Sequence, residues 1–312
     1  MGQPTWSAVA SALLNGIATV CLFVAAATAQ APPPSSPVHF HHVHLNVTDP
    51  TATIAFYQKF FGATEISYRD RSNALFTEKS FMLLTKVTTA PPSNLGTSLW
   101  HIGWAGVDGE SEFAWRTKEG IRVQTPLTPL RSNYYMYFWG PDQELIEVYT
   151  GSRNHRFEHV HLLASDLPAT LRWFQTYLGQ TPRMPLDSKL LNAPINLLRI
   201  DNVNLYLMER PPLGAPRPAW LPREVGDTFP LTDGTAIDHI AFSVVDIKRA
   251  FEQMRRLGVV IVRPIAKSRD FGLTSFFVRG PDGLLVEIVE ELPVPEGVWG
   301  RGMTSERNRG KH

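Results

Sequence analysis

The stretch HVHLNVTDPTATIAFYQKFFG, residues 42–62, decides the fold. Its first half alternates in the manner of a strand, which sends successive side chains to opposite faces. One face is expected to carry Phe40, His42, His44 and Asn46, the other His41, Val43, Leu45 and Val47. The apolar face suits a covering helix. The histidine face is too polar for an ordinary core and too rich in imidazole for an idle surface, so it is expected to wall a cavity that holds a metal ion. The second half reads as the covering helix. Asp49 suits the N-cap, Pro50 the first turn, Ile54, Tyr57 and Phe61 recur at helical spacing, and Gly62 supplies the stop.

Working outward, the pattern repeats. Strands are expected near Ser67 and at 74–76 and 81–87, which makes the unit strand, helix, then about three strands. A second unit follows with a strand at 99–107, a helix at 108–119, a strand at 133–139, a turn at Gly140-Pro141-Asp142 and a closing strand at 145–149. A third unit, EHVHLLASDLPATLRWFQTYLG at residues 158–179, echoes the first. Asp166 is its cap, Leu171, Phe174 and Leu178 share a helix face, and Gly179 is its stop. The fourth opens at Ala236, with Asp246 as cap, Phe251 and Met254 facing inward, and Gly258 ending the helix. It closes with Gly280-Pro281-Asp282-Gly283 and a strand at 284–290. Units one and three match, as do two and four, so the chain is a duplicated pair. The expected class is α+β, four βαβββ modules in two tandem domains at 38–151 and 152–293. The Pro-rich stretch 210–234 exceeds an ordinary connection and reads as a lid or a loosely held loop.

Composition narrows the classes. A chain of 312 residues with 43% hydrophobic and 19% charged residues can bury real cores, and a net charge of +1 gives no reason to expect nucleic acid as partner. The single cysteine, Cys21, excludes an internal disulfide and a cysteine metal cluster. Residues 1–29 read as an export signal, an Ala-rich apolar run closing on Ala27-Thr28-Ala29, with a membrane anchor over 6–29 as the alternative. After cleavage no membrane association is expected, and the protein would be periplasmic or secreted. Residues 30–37 are a Pro-rich spacer and 294–312 a polar, basic tail.

Three chemistry-bearing positions recur in both halves: His42, His101 and Glu147, then His159, His239 and Glu287. Each histidine lies in the opening strand of a unit, and each glutamate in the strand after a Gly-Pro-Asp turn. A glutamate buried in an apolar closing strand costs several kcal/mol without a partner, and a divalent cation neutralises that cost. Two neutral imidazoles with one carboxylate form a facial set suited to Fe(II), Mn(II) or Zn(II), with positions open to water and substrate. His44 and His161, two residues beyond a ligand, should point into the same cavities and are candidates for substrate contact or proton transfer. Tyr135, Tyr137 and Tyr149 are candidates to line the first cavity.

The opening above and the closings GPDQELIEV and GPDGLLVEI resemble the vicinal oxygen chelate superfamily, over residues 38–291. That family includes glyoxalase I, bleomycin and fosfomycin resistance proteins and extradiol dioxygenases. The resemblance implies cupped sheets of paired modules around a divalent metal, with its metal positions falling on the six residues named. It also implies a small-molecule substrate, and leaves a homodimer open. Glyoxalase I uses a fourth ligand, a glutamate, at positions that match Leu83 and Tyr206, which counts against that activity. The extradiol signature places a histidine shortly before a penultimate-strand tyrosine. Tyr137 matches that tyrosine, but no histidine lies between Val123 and Met136, and Phe277 stands at the matching place in the second half. The expected activity is a dioxygenase-branch oxygenase, with a lyase, isomerase or transferase and a non-catalytic small-molecule binder as alternatives. Pairing modules one with two and three with four gives the triads His42/His101/Glu147 and His159/His239/Glu287; pairing one with four and two with three exchanges partners yet assembles two complete sets.

Overall fold

A computed structural model describes residues 38–77, 80–183 and 193–291. The expected export signal, the spacer and the basic tail lie outside them. The first module is β1 (His39–Val47), α1 (Pro50–Phe61), β2 (Thr64–Tyr68), β3 (Ser72–Phe76) and β4 (Phe81–Lys86). The second is β5 (Leu99–Ala105), α2 (Gly109–Lys118), β6 (Arg122–Leu130), β7 (Asn133–Trp139) and β8 (Leu145–Tyr149). The third is β9 (Arg156–Ala164), α3 (Leu167–Leu178), β10 (Ile195–Ile200) and β11 (Val203–Glu209). The fourth is β12 (Ile237–Val244), α4 (Ile247–Arg256), β13 (Ile261–Lys267), β14 (Thr274–Arg279) and β15 (Leu285–Glu290). The three anticipated N-caps form, since Asp49, Asp166 and Asp246 each accept a backbone N–H of the first turn, and Asp108 caps α2 in the same way. Gly62 and Gly179 end their helices at φ 65° and 66°, a left-handed conformation that only glycine adopts without strain.

Two mixed sheets result, one ordered β13-β14-β15-β12-β1-β4-β3-β2 and the other β10-β11-β9-β5-β8-β7-β6. The first unites modules one and four, the second modules two and three. The exchanged pairing is therefore the one the chain adopts, and each sheet takes one module from either half. Within each sheet the two opening strands run antiparallel side by side, β1 against β12 and β5 against β9. Both glutamate strands flank them in parallel, β15 beside β12 and β8 beside β5. The terminal strands β6 and β13 were not placed by periodicity, because Pro126, Pro129 and Pro264 interrupt them. Their ladders shift register, as expected of proline on a sheet edge.

The sheets share one apolar core in which Phe40, Phe157, Phe242, Trp104 and Tyr57 are fully buried. Phe40 stands 6.2 Å from Phe157, and Trp104 lies 5.0 Å from Phe157 and 5.5 Å from Tyr57. Each such ring contributes roughly 2–3 kcal/mol of burial free energy. The Gly-Pro-Asp turns add polar latches. Asp142 accepts from the Thr48 amide (3.0 Å) and hydroxyl (2.7 Å), and Asp282 accepts from the amide (2.9 Å) and hydroxyl of Ser165. Each latch ties the end of one sheet's opening strand to a turn of the other sheet, at equivalent places in the two halves.

Candidate metal centres

The opening strands do not alternate regularly, and that irregularity builds the sites. In the β1–β12 ladder Phe40 opposes Phe242 and His42 opposes Ala241, so His41 is an extra residue. Further along, His44 opposes His239 and Leu45 opposes Ile237, so Asp238 is extra. The β5–β9 ladder repeats this at Trp100 and Glu158. Four β-bulges thus sit immediately before the four candidate ligand histidines and re-aim the strand there. The strict alternation expected of β1 is corrected accordingly. Phe40 joins Val43, Leu45 and Val47 in the core, while His41 leaves that face and lies beside His42.

In the first site, His42 and His239 each bring Nε2 to 3.2 Å from Glu287 Oε2. All three are buried. The bulge residues hold the rings from behind. His239 Nδ1 donates to Asp238 Oδ1 at 2.5 Å, and His42 Nδ1 lies 2.6 Å from His41 Nδ1, whose Nε2 donates to Glu291 Oε2 at 2.5 Å. His44 stacks on His239 at 4.5 Å, and its Nε2 lies 2.7 Å from the Thr85 hydroxyl. Burial is the largest influence on His42 and holds its pKa near 4, against the pull of Glu287, so the ring is neutral and able to ligate. Burial opposes charge on His239 too, but its hydrogen bonds to Asp238 and Glu287 prevail and raise it to about 9. A metal ion would displace that proton.

The second site has the same frame. Glu147 Oε2 accepts from His101 Nε2 at 2.9 Å and from His159 Nε2 at 3.0 Å, and Glu158 accepts from His159 Nδ1 at 2.6 Å. Burial disfavours the charged ring of His159, yet the two carboxylates raise it to about 9. Desolvation lowers His101 and takes His161 well below its ordinary value. Gly103 lies opposite His159, and a Cβ there would stand 2.0 Å from the His159 ring. The close approach of that ring to the backbone requires glycine.

These residues fit a divalent cation. Two donors at about 2.1 Å from one ion, 90–110° apart, lie ~3.0–3.4 Å from each other. The observed nitrogen–oxygen separations are 2.9 to 3.2 Å. His42 Nε2 is buried and makes no hydrogen bond despite its proximity to Glu287. When His41 donates to Glu291, its Nδ1 accepts from His42 Nδ1–H, and His42 Nε2 is left as a lone pair facing a carboxylate oxygen. A cation between them resolves that opposition. Asp238 and Glu158 bond Nδ1 of His239 and His159 and so are placed to fix the tautomer and orientation an imidazole needs to ligate.

The structure therefore brings His42, His239 and Glu287 together with His44, and His101, Glu147 and His159 together with His161. Neither triad in the sequential order, His42/His101/Glu147 or His159/His239/Glu287, is what the sheets assemble. Tyr137 opposes Glu147 and packs 5.1 Å from His101, in the second site rather than with His42. Tyr135 lies 5.7 Å from Tyr137 and opposes Tyr149 one sheet position farther out. Leu83 and Tyr206 stand at matching places, opposite His44 and His161. Sequence reasoning missed His41, Trp100, Glu158 and Asp238. A signal existed: by alternation each should face the apolar core, and three of the four are a histidine, a glutamate and an aspartate.

The first site opens on a cavity of about 400 Å³ lined by His44, His239, Glu287, Leu83, Phe271 and Phe277, with Arg263 and Lys267 on its wall. Among the described residues no helix is long and apolar enough to cross a membrane.

The family model for the Glyoxalase/Bleomycin resistance protein/Dioxygenase superfamily matches residues 39–148 and 156–288, and the chain belongs to that superfamily. Solved structures agree at the level of fold. Glyoxalase I from Zea mays is 17% identical with a TM-score of 0.63, covering 82% of this chain and 93% of its own. A candidate dioxygenase from Bacillus subtilis is 13% identical with a TM-score of 0.56, covering 88% of this chain and 90% of its own. No curated protein matches the chain by sequence.

Proposed function

We propose that the protein is a divalent-metal-dependent oxygenase of the dioxygenase branch, acting at the first site on a small substrate that presents two adjacent oxygens. The observation that carries this reading is the convergence of His42 and His239 on Glu287 at 3.2 Å, with His239 and Glu287 on the wall of the open cavity. Leu83 stands opposite His44, at the place matched to the fourth ligand of glyoxalase I. Three protein ligands leave a face free for a chelating substrate and a further small molecule. A bound Fe(II) or Mn(II) supplies Lewis acidity and one-electron chemistry with dioxygen; Zn(II) supplies the first alone.

The chain's own groups do the rest. His42 arrives neutral, Glu287 arrives ionised, and Asp238 and His41 keep the rings from turning. His44, fixed by Thr85 and by stacking on His239, presents a polar edge to whatever occupies the cavity. Phe271 and Phe277 offer it apolar walls, and the Arg263 guanidinium, 4.2 Å above the Phe277 ring, offers a positive charge at the mouth. The volume suits a small molecule rather than a polymer. Export by residues 1–29 belongs to the same proposal and is tested by N-terminal sequencing of secreted material, where a retained Met1 counts against it.

The test is oxygen uptake by Fe(II)-loaded protein against a panel of catechols and 2-hydroxy ketones. Uptake that His44→Ala cuts ~10²-fold or more, with metal content unchanged, supports the reading, because positioned acid–base groups contribute on that scale. Metal-dependent turnover without oxygen consumption would replace it with a lyase or isomerase.

A further inference from the structure

The two sites have the same three ligands but different surroundings. In the first, the Thr85 hydroxyl lies 2.7 Å from His44 Nε2. In the second, the ladder puts Met208 at the place of Thr85, since Thr85 opposes Asn46 and Met208 opposes Leu163. Methionine offers no comparable partner, and His161 Nε2 is buried with no hydrogen bond among the described residues. Both extra histidines group with candidate ligands whose donor atoms all lie within 4.8 Å of one another, His44 with His42 and His239, and His161 with His101, Glu147 and His159; His44 Nε2 is engaged by Thr85, whereas His161 Nε2 has no partner among the described residues. His101 and His161 face each other directly across the ladder, their ring centres 4.8 Å apart.

The space around this cluster is filled by aromatic rings. Trp100 lies 4.5 Å from His101 and 5.0 Å from His161, and Tyr206 lies 5.1 Å from His159 and 5.8 Å from His161. The matching positions of the first site are Asp238 and Leu83, both smaller. Over these rings runs the Pro-rich stretch between modules three and four. Its Leu221 and Val225 are buried in one cluster with Trp100, with Tyr137, Tyr206, Trp220 and Phe229 packed against it. The stretch is thus held by its apolar side chains rather than loosely draped.

We infer that the second site is a four-ligand structural metal site, with His161 as the fourth ligand beside His101, His159 and Glu147. Four protein ligands mark metal that holds a fold, whereas three ligands and an open position mark metal that does chemistry. A borderline ion with tetrahedral preference, Zn(II) above all, suits three imidazoles and a carboxylate. The inference rests on the metal reading of the clusters but not on the oxygenase reaction.

The experiment uses the full chain loaded with Co(II), whose d–d absorption is intense in four-coordinate sites and weak in more open ones. One equivalent with intense bands, retained through dialysis against EDTA while the other is stripped, is the expected result. In His161→Ala, and in the milder His161→Gln, the intense bands should vanish and the release rate of that equivalent should rise 10-fold or more. Two equivalents that are spectroscopically alike and stripped together would overturn the inference, as would unchanged bands in His161→Gln. Oxygen uptake by the first site is read separately, so loss of either claim leaves the other measurable.

Discussion

Gly103→Ala tests the second site through a single methyl group. The added Cβ would lie 2.0 Å from His159 Cε1 and 2.1 Å from its Nε2, where ordinary contact starts at 3.4 Å. The ring must therefore retreat by about 1.4 Å, since the repulsive wall admits no closer approach. Coordination tolerates displacements of only ~0.2 Å. The same retreat breaks the 3.0 Å contact with Glu147. Affinity for the second metal should fall at least ~100-fold, equivalent to ~2.7 kcal/mol. Competition against a chromophoric chelator gives the number directly. The first site supplies the control, because Ala241 already occupies the equivalent position opposite His42. Ala241→Gly removes a buried methyl without pushing on the His42 ring and should leave both affinities within about twofold. An unchanged second affinity in Gly103→Ala, with the fold intact, would refute the placement of His159 as a ligand.

Other expectations follow from the groups that support the sites. Burial raises the Glu144 carboxyl from its ordinary 4.5 to about 7, against the hydrogen bonds it receives from Tyr57 and the Asp142 amide. A raised carboxyl adds stability that is complete below the unfolded pKa and lost as pH climbs through the folded one. Unfolding free energy should therefore decline between about pH 4.5 and 8 by up to ~3 kcal/mol from this group, and Glu144→Gln should flatten that slope in urea titrations. A steeper slope in the variant would refute the assignment. Asp238→Asn keeps the size of the bulge residue but weakens its grip on His239, and first-site metal affinity should drop 10–100-fold by calorimetry. An unchanged affinity would reduce Asp238 to a strand residue. Asp142→Ala removes an acceptor of two hydrogen bonds between the sheets and should cost ~1–3 kcal/mol in denaturant unfolding.

Much of this was legible in the chain. Caps at Asp49, Asp166 and Asp246 and stops at Gly62 and Gly179 are local chemistry, and local chemistry is written in adjacent residues. The duplication picked out all six candidate ligands, which the sheets gather into two clusters, because a strand-borne histidine that returns at a matching place is hard to explain otherwise. Two things were hidden. The bulges add one residue to one strand opposite its partner, so they show only when two distant strands are laid side by side. Strict alternation then put Phe40 on the wrong face. Module pairing was hidden for a different reason: either pairing gives each site two histidines and a glutamate, so ligand chemistry is indifferent to the choice. What separates them is long-range contact, such as Phe40 against Phe242 across β1 and β12, and no short motif encodes that.

The central claim is that His42 and Glu287 hold one ion while His101, His159 and Glu147 hold another. Metal content of the purified full chain, by elemental analysis of two double variants, tests it. His42→Ala with Glu287→Ala damages one site and should leave one of two equivalents bound; His42→Ala with Glu147→Ala damages both and should leave none. The reverse order of retention would return the chain to the unexchanged pairing, and a metal-free wild type after loading would contradict the account altogether.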